Sequence, residues 1–245
     1  MGLPIFYQPL EGVPEVSSTI SIAGDEARHL LRSLRARPGD EVTVGDGAGV
    51  VVKGVLADSP SGEALIKVVS AVFFEPERPS IILLQGLARL PRMDEAVTRA
   101  AETGAAELVP FSSPRSEKHE ERKAADRLER WSRIAREASK VARRPYALLV
   151  SPAASWPPVD ILRNTEMSVV LWEEDVSEKL ADVLPEVPPG TVTIITGPVG
   201  GLSRDDIDIL KEADAIPVSL GALILRAESA GSYAAMLVRE KYGLL

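Results

Sequence analysis

The rhythm of apolar and polar positions changes once along this 245-residue chain, close to residue 75. Before that point apolar residues come in short alternating runs, at 41–44, 50–56 and 64–69, separated by Gly, Asp, Pro and Ser. A period of two broken by turn residues predicts half-buried strands, so residues 1–75 read as a small β-rich unit. One helix interrupts them, from Asp25, placed to cap its first turn, to Arg37, where Pro38-Gly39-Asp40 stops it. Residues 74–79, with two prolines among charges, read as a linker, and the domain boundary is placed there: 1–75 and 76–245.

Beyond the linker, strand-like and helix-like segments alternate. Residues 80–86 form the first strand; Met93, Ala96, Val97, Ala100 and Ala101 mark one face of a helix that ends at Gly104, and 106–111 is the next strand. A long helix follows. Further strands are predicted at 167–172, 191–196 and 216–220, with helices opening near Ser203 and spanning 226–242. Such alternation predicts an α/β domain built on a mainly parallel sheet covered on both faces. No internal repeat is present.

Composition narrows the chemistry. Hydrophobic residues make up 45% and charged residues 26%, the balance of an ordinary globular protein. The apolar runs fall far short of the roughly 20 residues that cross a bilayer, and residues 1–8 carry neither a basic flank nor an apolar signal core; a cytoplasmic protein is expected. The absence of cysteine excludes disulfides, thiolate zinc sites, iron-sulfur clusters and cysteine nucleophiles together. With only His29 and His119, a histidine-rich metal site is not expected either.

A net charge of −8 argues against a nucleic-acid partner until its distribution is considered. Residues 115–144 hold eleven Lys or Arg against six Asp or Glu, a local balance of +5. Within them Leu128, Trp131, Ala135, Ala138 and Ala142 form one apolar helical stripe, while Arg133, Arg136, Lys140 and Arg143, spaced three, four and three apart, are predicted to line the far side. Such a row can track phosphates, although a solvated helix face has the same pattern. Arg28, Arg32 and Arg35, at i, i+4 and i+7 of the early helix, make a second candidate surface. Arg89, Arg92, Arg115 and Arg144 complete the basic residues expected to contact RNA.

Two glycine-rich segments compete as a small-molecule loop. Gly45-Asp46-Gly47-Ala48-Gly49 is followed by the strand-like 50–55, which predicts a hairpin turn. Thr196-Gly197-Pro198-Val199-Gly200-Gly201 instead follows a buried strand and precedes a helix that Ser203, with Asp206 three residues on, can cap. Glycines let a backbone approach a ligand, and strand ends of α/β sheets are where such proteins bind small molecules. A third segment, residues 220–230, joins a glycine turn to an apolar run and an Arg-x-Glu pair, Arg226 and Glu228, that opens a helix.

Together these residues resemble the 16S ribosomal RNA uridine N3-methyltransferases of the SPOUT superfamily, over nearly the whole chain. His29-Leu30-Leu31-Arg32-Ser33-Leu34-Arg35 with Pro38-Gly39-Asp40 is similar to that family's signature in its PUA-like RNA-binding domain. Arg92-Met93-Asp94-Glu95 with Ala101-Glu102-Thr103-Gly104-Ala105 resembles its first catalytic-domain helix, and Glu137-Ala138 lies in its basic helix. Most specific are Gly197-Pro198-x-Gly200-Gly201 and Leu220-Gly221-x-x-Ile224-Leu225-Arg226-x-Glu228-x-Ala230, in that order. The chain departs from the family at Val199 (usually glutamate), Val141 (glutamine), Arg89 (lysine), Ala227 and Ser229 (threonines).

The resemblance implies a PUA-like β-barrel followed by a knotted SPOUT domain, a deep trefoil being among the rare exceptions to unthreaded chains. It implies a homodimer that methylates 16S rRNA of the small subunit with S-adenosyl-L-methionine. The cofactor is expected at Leu171, Trp172, Glu173, Gly197, Pro198, Val199, Gly200, Gly201, Leu220, Gly221, Ile224, Leu225 and Arg226. Arg226 suits stabilisation of a uridine losing its ring proton, and Glu228 either orients Arg226 or accepts that proton. Two alternatives stay open, motivated by Val199 and Val141: a diverged SPOUT enzyme acting on a ribose 2'-hydroxyl or on tRNA, and an RNA-binding or assembly protein without catalysis.

Overall fold

The computed structural model describes residues 4–58, 62–116, 118–174 and 178–245, without the side chains of 118 and 121. The chain divides into two compact units, one running to Pro76 and including Ser139–Ala147, the other comprising Glu77–Ala138 and Leu148–Leu245. A single cut near residue 75 therefore does not describe the first unit. Tyr7 Oη donates to the Arg144 carbonyl (2.7 Å), Gly49 N to Pro145 O (3.1 Å) and Ala147 N to Gly47 O (2.9 Å), tying a distant stretch of chain to the early strands.

The first unit contains β1 (Ile5–Tyr7), β2 (Thr19–Ile22), α1 (Gly24–Arg28), β3 (Glu41–Gly45), β4 (Val50–Leu56) and β5 (Ala64–Phe73). The sheet order is β1-β3-β4-β5-β2, with β1 parallel to β3 and the remaining pairs antiparallel. Among the described residues β1 and β2 are its two edges, an open order where a closed barrel is expected from sequence. In β4, Val50, Val52, Gly54 and Leu56 point inward while Lys53 is exposed, the alternation that lets one face join the core. The segment 45–49 is the β3–β4 hairpin turn: Asp46 Oδ1 accepts from Ala48 N (2.7 Å) and Val50 N (3.0 Å), and Gly47 and Gly49 both have positive φ.

The predicted helix over 25–37 is shorter and wider than expected. Regular α-helix ends at Arg28, a π turn continues through His29–Ser33, and Arg35 has φ +56°. Pro38 disfavours helical backbone at the residue before it, and Arg37 N instead donates to Asp40 Oδ2 (2.7 Å) in a turn.

The second unit contains β6 (Ser80–Gly86), α2 (Leu90–Glu102), β7 (Glu107–Phe111), the greater part of α3 (Lys118–Val141), β8 (Leu149–Val150), α4 (Val159–Arg163), β9 (Met167–Leu171), α5 (Leu180–Val183), β10 (Thr191–Thr196), α6 (Arg204–Glu212), β11 (Ala215–Val218) and α7 (Ala227–Lys241). The sheet is parallel throughout, in the order β11-β9-β10-β6-β7-β8. Buried β10 alternates its side chains between two cores. Val192 and Ile194 belong to the same core cluster as Met93, Val97, Trp131 and Val238, while Ile195 belongs to a second cluster with Ile207, Leu210 and Phe111. Among the described residues no helix is long and apolar enough to cross a membrane.

Candidate functional site

The central geometry follows from strand register. Leu171, the last residue of β9, pairs with Thr196 at the end of β10 and with Val218 at the end of β11, so three adjacent parallel strands finish level with one another. Their following loops emerge side by side at the carboxyl edge of the sheet, where open α/β folds bind ligands. Residues 171–174, 196–202 and 218–230, less Ala222 and Ser229, surround a cavity of about 530 Å³, completed by Arg92 and Arg115.

Each loop has a local reason for its course. Leu171-Trp172 continues the strand edge, with Trp172 N donating to Val218 O (3.1 Å). In the second loop Gly201 N donates to Pro198 O (2.8 Å), and Gly201 adopts φ +70°, which favours glycine. The loop ends in a capping box: Asp206 N donates to Ser203 Oγ (3.1 Å) and Ser203 N to Asp206 Oδ2 (2.8 Å), starting α6. Gly86, at the end of β6, lies so close to this loop that a Cβ there would stand 2.2 Å from Pro198 N. In the third loop Gly221 has φ +112° and donates its N–H to Ser219 Oγ (3.1 Å).

The mouth of α7 carries the charged groups. Arg226 is its extended N-cap residue, with a side chain 81% exposed; Glu228, in the first turn, has a side chain 2% exposed. One Glu228 oxygen, Oε1, lies 4.0 Å from Arg226 Nη1 and 4.0 Å from Arg92 Nε, while buried Oε2 has no hydrogen-bond partner. Neighbouring Ser229 accepts a hydrogen bond from Arg99, which also pairs with Glu95, fixing α7 against α2. Nearer the start of α2, Asp94 accepts from Arg130 of α3 (2.5 and 3.2 Å); that hydrogen bond, and then its charge, raise the pKa of the Arg130 guanidinium above its usual value.

Leu171, Trp172, Glu173, the 197–201 loop, Leu220, Gly221, Ile224, Leu225, Arg226 and Glu228 thus surround one cavity. Of the basic residues read from sequence, Arg92 and Arg115 line it as well, Arg115 Nη1 donating to Gly200 O (3.4 Å). Arg89 is exposed at the start of α2, and Arg133 and Arg136 are exposed on α3. The expected four-residue basic row is not continuous. Lys140 is 8% exposed and paired with Glu26 (2.7 Å), so its charge is directed into the first unit. Arg143 lies beyond the helix end with φ +55°, and half-buried Arg144 follows it. Arg28 pairs with Asp25, Arg32 is exposed on the π turn, and Arg35 has left the helix, so these three do not share one α-helical face.

Sequence reasoning did not bring Arg92 to Glu228. The residues lie on different helices, and only the packing of α2 against α7 joins them. Among the described residues no group of three or more His, Cys, Asp or Glu is placed to hold a metal ion.

Known proteins resemble this chain over most of its length. Residues 75–239 match the family model of an RNA methyltransferase domain, and residues 22–69 that of an RNA methyltransferase PUA domain. The chain is 27% identical to "Ribosomal RNA small subunit methyltransferase E" of Mycobacterium bovis, covering 94% of this chain and 88% of the relative. It is also 27% identical to the Bacillus subtilis protein of that name, over 94% and 93%. Among solved structures, a ribosomal RNA small subunit methyltransferase E from Neisseria gonorrhoeae bound to S-adenosyl methionine superimposes with a TM-score of 0.83, 26% identity and 97% coverage of both chains.

Proposed function

The chain belongs to the RNA methyltransferase family, and on that premise we propose that it transfers a methyl group from S-adenosylmethionine to N3 of a uridine in 16S rRNA of the small ribosomal subunit. The observation that carries this reading is the cavity at the level ends of β9, β10 and β11, with Arg226 and Glu228 at the opening of α7.

The residues present fit that cofactor. About 530 Å³ lies within the usual range of roughly 300–1,000 Å³ for small-molecule sites. Gly201 and Gly221 leave the backbone open, with no atom within 4 Å of where a Cβ would stand. Leu223 and Ile224 are 81% and 82% exposed on the cavity wall, apolar surface that an adenosine would cover. Residues 171–173, 197–201 and 220–225 would hold the cofactor, largely through backbone groups. When bound, S-adenosylmethionine supplies an already electrophilic methyl group.

The protein's remaining task is alignment and charge stabilisation. Arg226 presents its guanidinium at the cavity, suited to an oxygen of the uracil as the ring nitrogen loses its proton. Glu228 sits beneath Arg226 and orients it. We also take the second unit to be threaded as a deep trefoil knot and the first to bind RNA as a PUA-like domain. Support for both is the match of residues 75–239 to an RNA methyltransferase domain and of residues 22–69 to an RNA methyltransferase PUA domain.

Incubating the protein with labelled S-adenosylmethionine and unmodified small subunits, then locating the label, tests the assignment. A methyl group on N3 of a uridine in 16S rRNA is expected; a label on a ribose oxygen, or on tRNA alone when tRNA is added beside the subunits, rejects it. Val199, 55% exposed at the cavity, favours one rival, a binding protein without catalysis. Undetectable S-adenosylmethionine binding by calorimetry at millimolar concentration would support that rival.

A further inference from the structure

Two arginines converge on one buried acid at the cavity. Arg92 Nε, from the first turn of α2, and Arg226 Nη1, from the N-cap of α7, lie at the same distance, 4.0 Å, from Glu228 Oε1. Glu228 is 2% exposed at its side chain, whereas Arg92 and Arg226 are 48% and 81% exposed. The acid is thus buried beside two more exposed guanidiniums, and all three residues line the cavity. A carboxylate shared by two cations at 4.0 Å, with its second oxygen lacking a hydrogen-bond partner, leaves each guanidinium with N–H groups to offer elsewhere.

We propose that Arg92 is a second substrate-touching residue, and that Arg92 and Arg226, spaced by Glu228, bind the two carbonyl oxygens flanking the imide nitrogen of the target uracil. The proposal rests on the uridine N3 reading above and adds the means of choosing the base. A uracil imide carries an oxygen on each side of its N–H, and loss of the proton spreads negative charge over both. Two donors match that group. Cytosine presents an amino donor on one side, which a guanidinium cannot accept. In the transfer, the imide proton passes to a water molecule of the open cavity and the freed nitrogen electron pair forms the bond to the methyl carbon. The carbon–sulfur pair stays on sulfur, leaving the neutral thioether. The guanidiniums lose and gain no proton; they lower the cost of the imide anion. Glu228 is a positioning residue, setting the separation of the two.

Three measurements on the full-length enzyme with unmodified small-subunit RNA decide it. First, the methyl position is mapped for the wild-type protein, since a methyl group off a uracil nitrogen overturns the function assignment itself. Second, with N3 methylation in hand, Arg92→Ala is expected to lower kcat about 100-fold, the scale for one lost oxyanion donor, with the calorimetric Kd for S-adenosylmethionine unchanged. The lost rate should partly return at alkaline pH, and Arg92→Lys should recover part of it. Third, RNA carrying 5-fluorouridine at the target is titrated by fluorine NMR. Bound to wild-type protein its imide should ionise at lower pH than in free RNA, and Arg92→Ala should give back about one pH unit, a tenfold change in the ionisation constant. Glu228→Asp, which keeps the charge but shortens the side chain that spaces the two arginines, should give back a similar share while keeping the cofactor Kd. If Arg92→Ala instead keeps kcat, the pH profile and the fluorine titration while raising KM and flattening its salt dependence, Arg92 is a phosphate-binding residue and the two-arginine assignment fails on its own.

Discussion

A Cβ at position 86 would lie 2.2 Å from the backbone nitrogen of Pro198 and 2.5 Å from the carbonyl carbon of Gly197. Backbone atoms cannot swing aside as a side-chain tip does, so Gly86→Ala must displace either the end of β6 or the 197–201 loop. Overpacking of this kind costs about 1–3 kcal/mol. The variant is expected to melt several degrees lower and to bind S-adenosylmethionine more weakly, by thermal unfolding and calorimetry; unchanged values in both would show that the loop has slack. Arg226→Ala tests the other end of the site. Its side chain is largely exposed, but it is one of two cations near buried Glu228, so Arg226→Ala should cost about 1 kcal/mol of stability and lower methyl transfer roughly 100-fold. Retention of the full rate would remove Arg226 from the chemistry.

Among the elements, α6 depends on a reciprocal cap, and Ser203→Ala should cost about 1 kcal/mol, measurable by denaturant unfolding. Because Ser203 closes the 197–201 loop, cofactor affinity should fall with it. Helix α3 makes a sharper separation. Arg133→Ala with Arg136→Ala should flatten the salt dependence of RNA binding by roughly 0.7 to 0.9 of a log-log slope unit for each phosphate left without its cation. Lys140→Ala should leave that slope alone and instead destabilise the protein by about 1–3 kcal/mol, since it strands the partly buried Glu26. A slope that falls equally for Lys140→Ala would return that residue to the RNA surface. Periodicity carries no sign of this difference. Position 140 follows Arg133 and Arg136 at helical spacing, but its environment is decided by Glu26, which belongs to α1. The bounds of β4, β6 and β10 are legible from sequence because their apolar runs end abruptly at glycine or polar residues. Strands β1, β2 and β8 and helices α4 and α5 are not, being two to five residues long and too short to show a period. The helix expected to reach 37 stops early because a widening π turn keeps apolar Leu30 buried without continuing the α-helical spacing.

For the molecule, the glycine loops announce a ligand, but that they share one cavity depends on the order β11-β9-β10-β6, which no local pattern records. The second unit also leaves apolar surface uncovered. Tyr233 and Leu237, four residues apart on α7, are 49% and 46% exposed, and an association of two chains through this face is the expected use. Sedimentation of the wild-type protein should give the mass of two chains, and Leu237→Asp should shift it towards one. A wild-type mass of one chain rejects the homodimer.

The walls of the cavity come from segments ending near residues 174, 202 and 230, and the last supplies both Arg226 and Glu228. During synthesis the first two walls exist while the third is still untranslated. A chain stopped short of residue 226 therefore has two of the three walls and neither charged group at the opening of α7. Competence therefore arrives in one step, when the segment carrying Arg226 and Glu228 joins the other two.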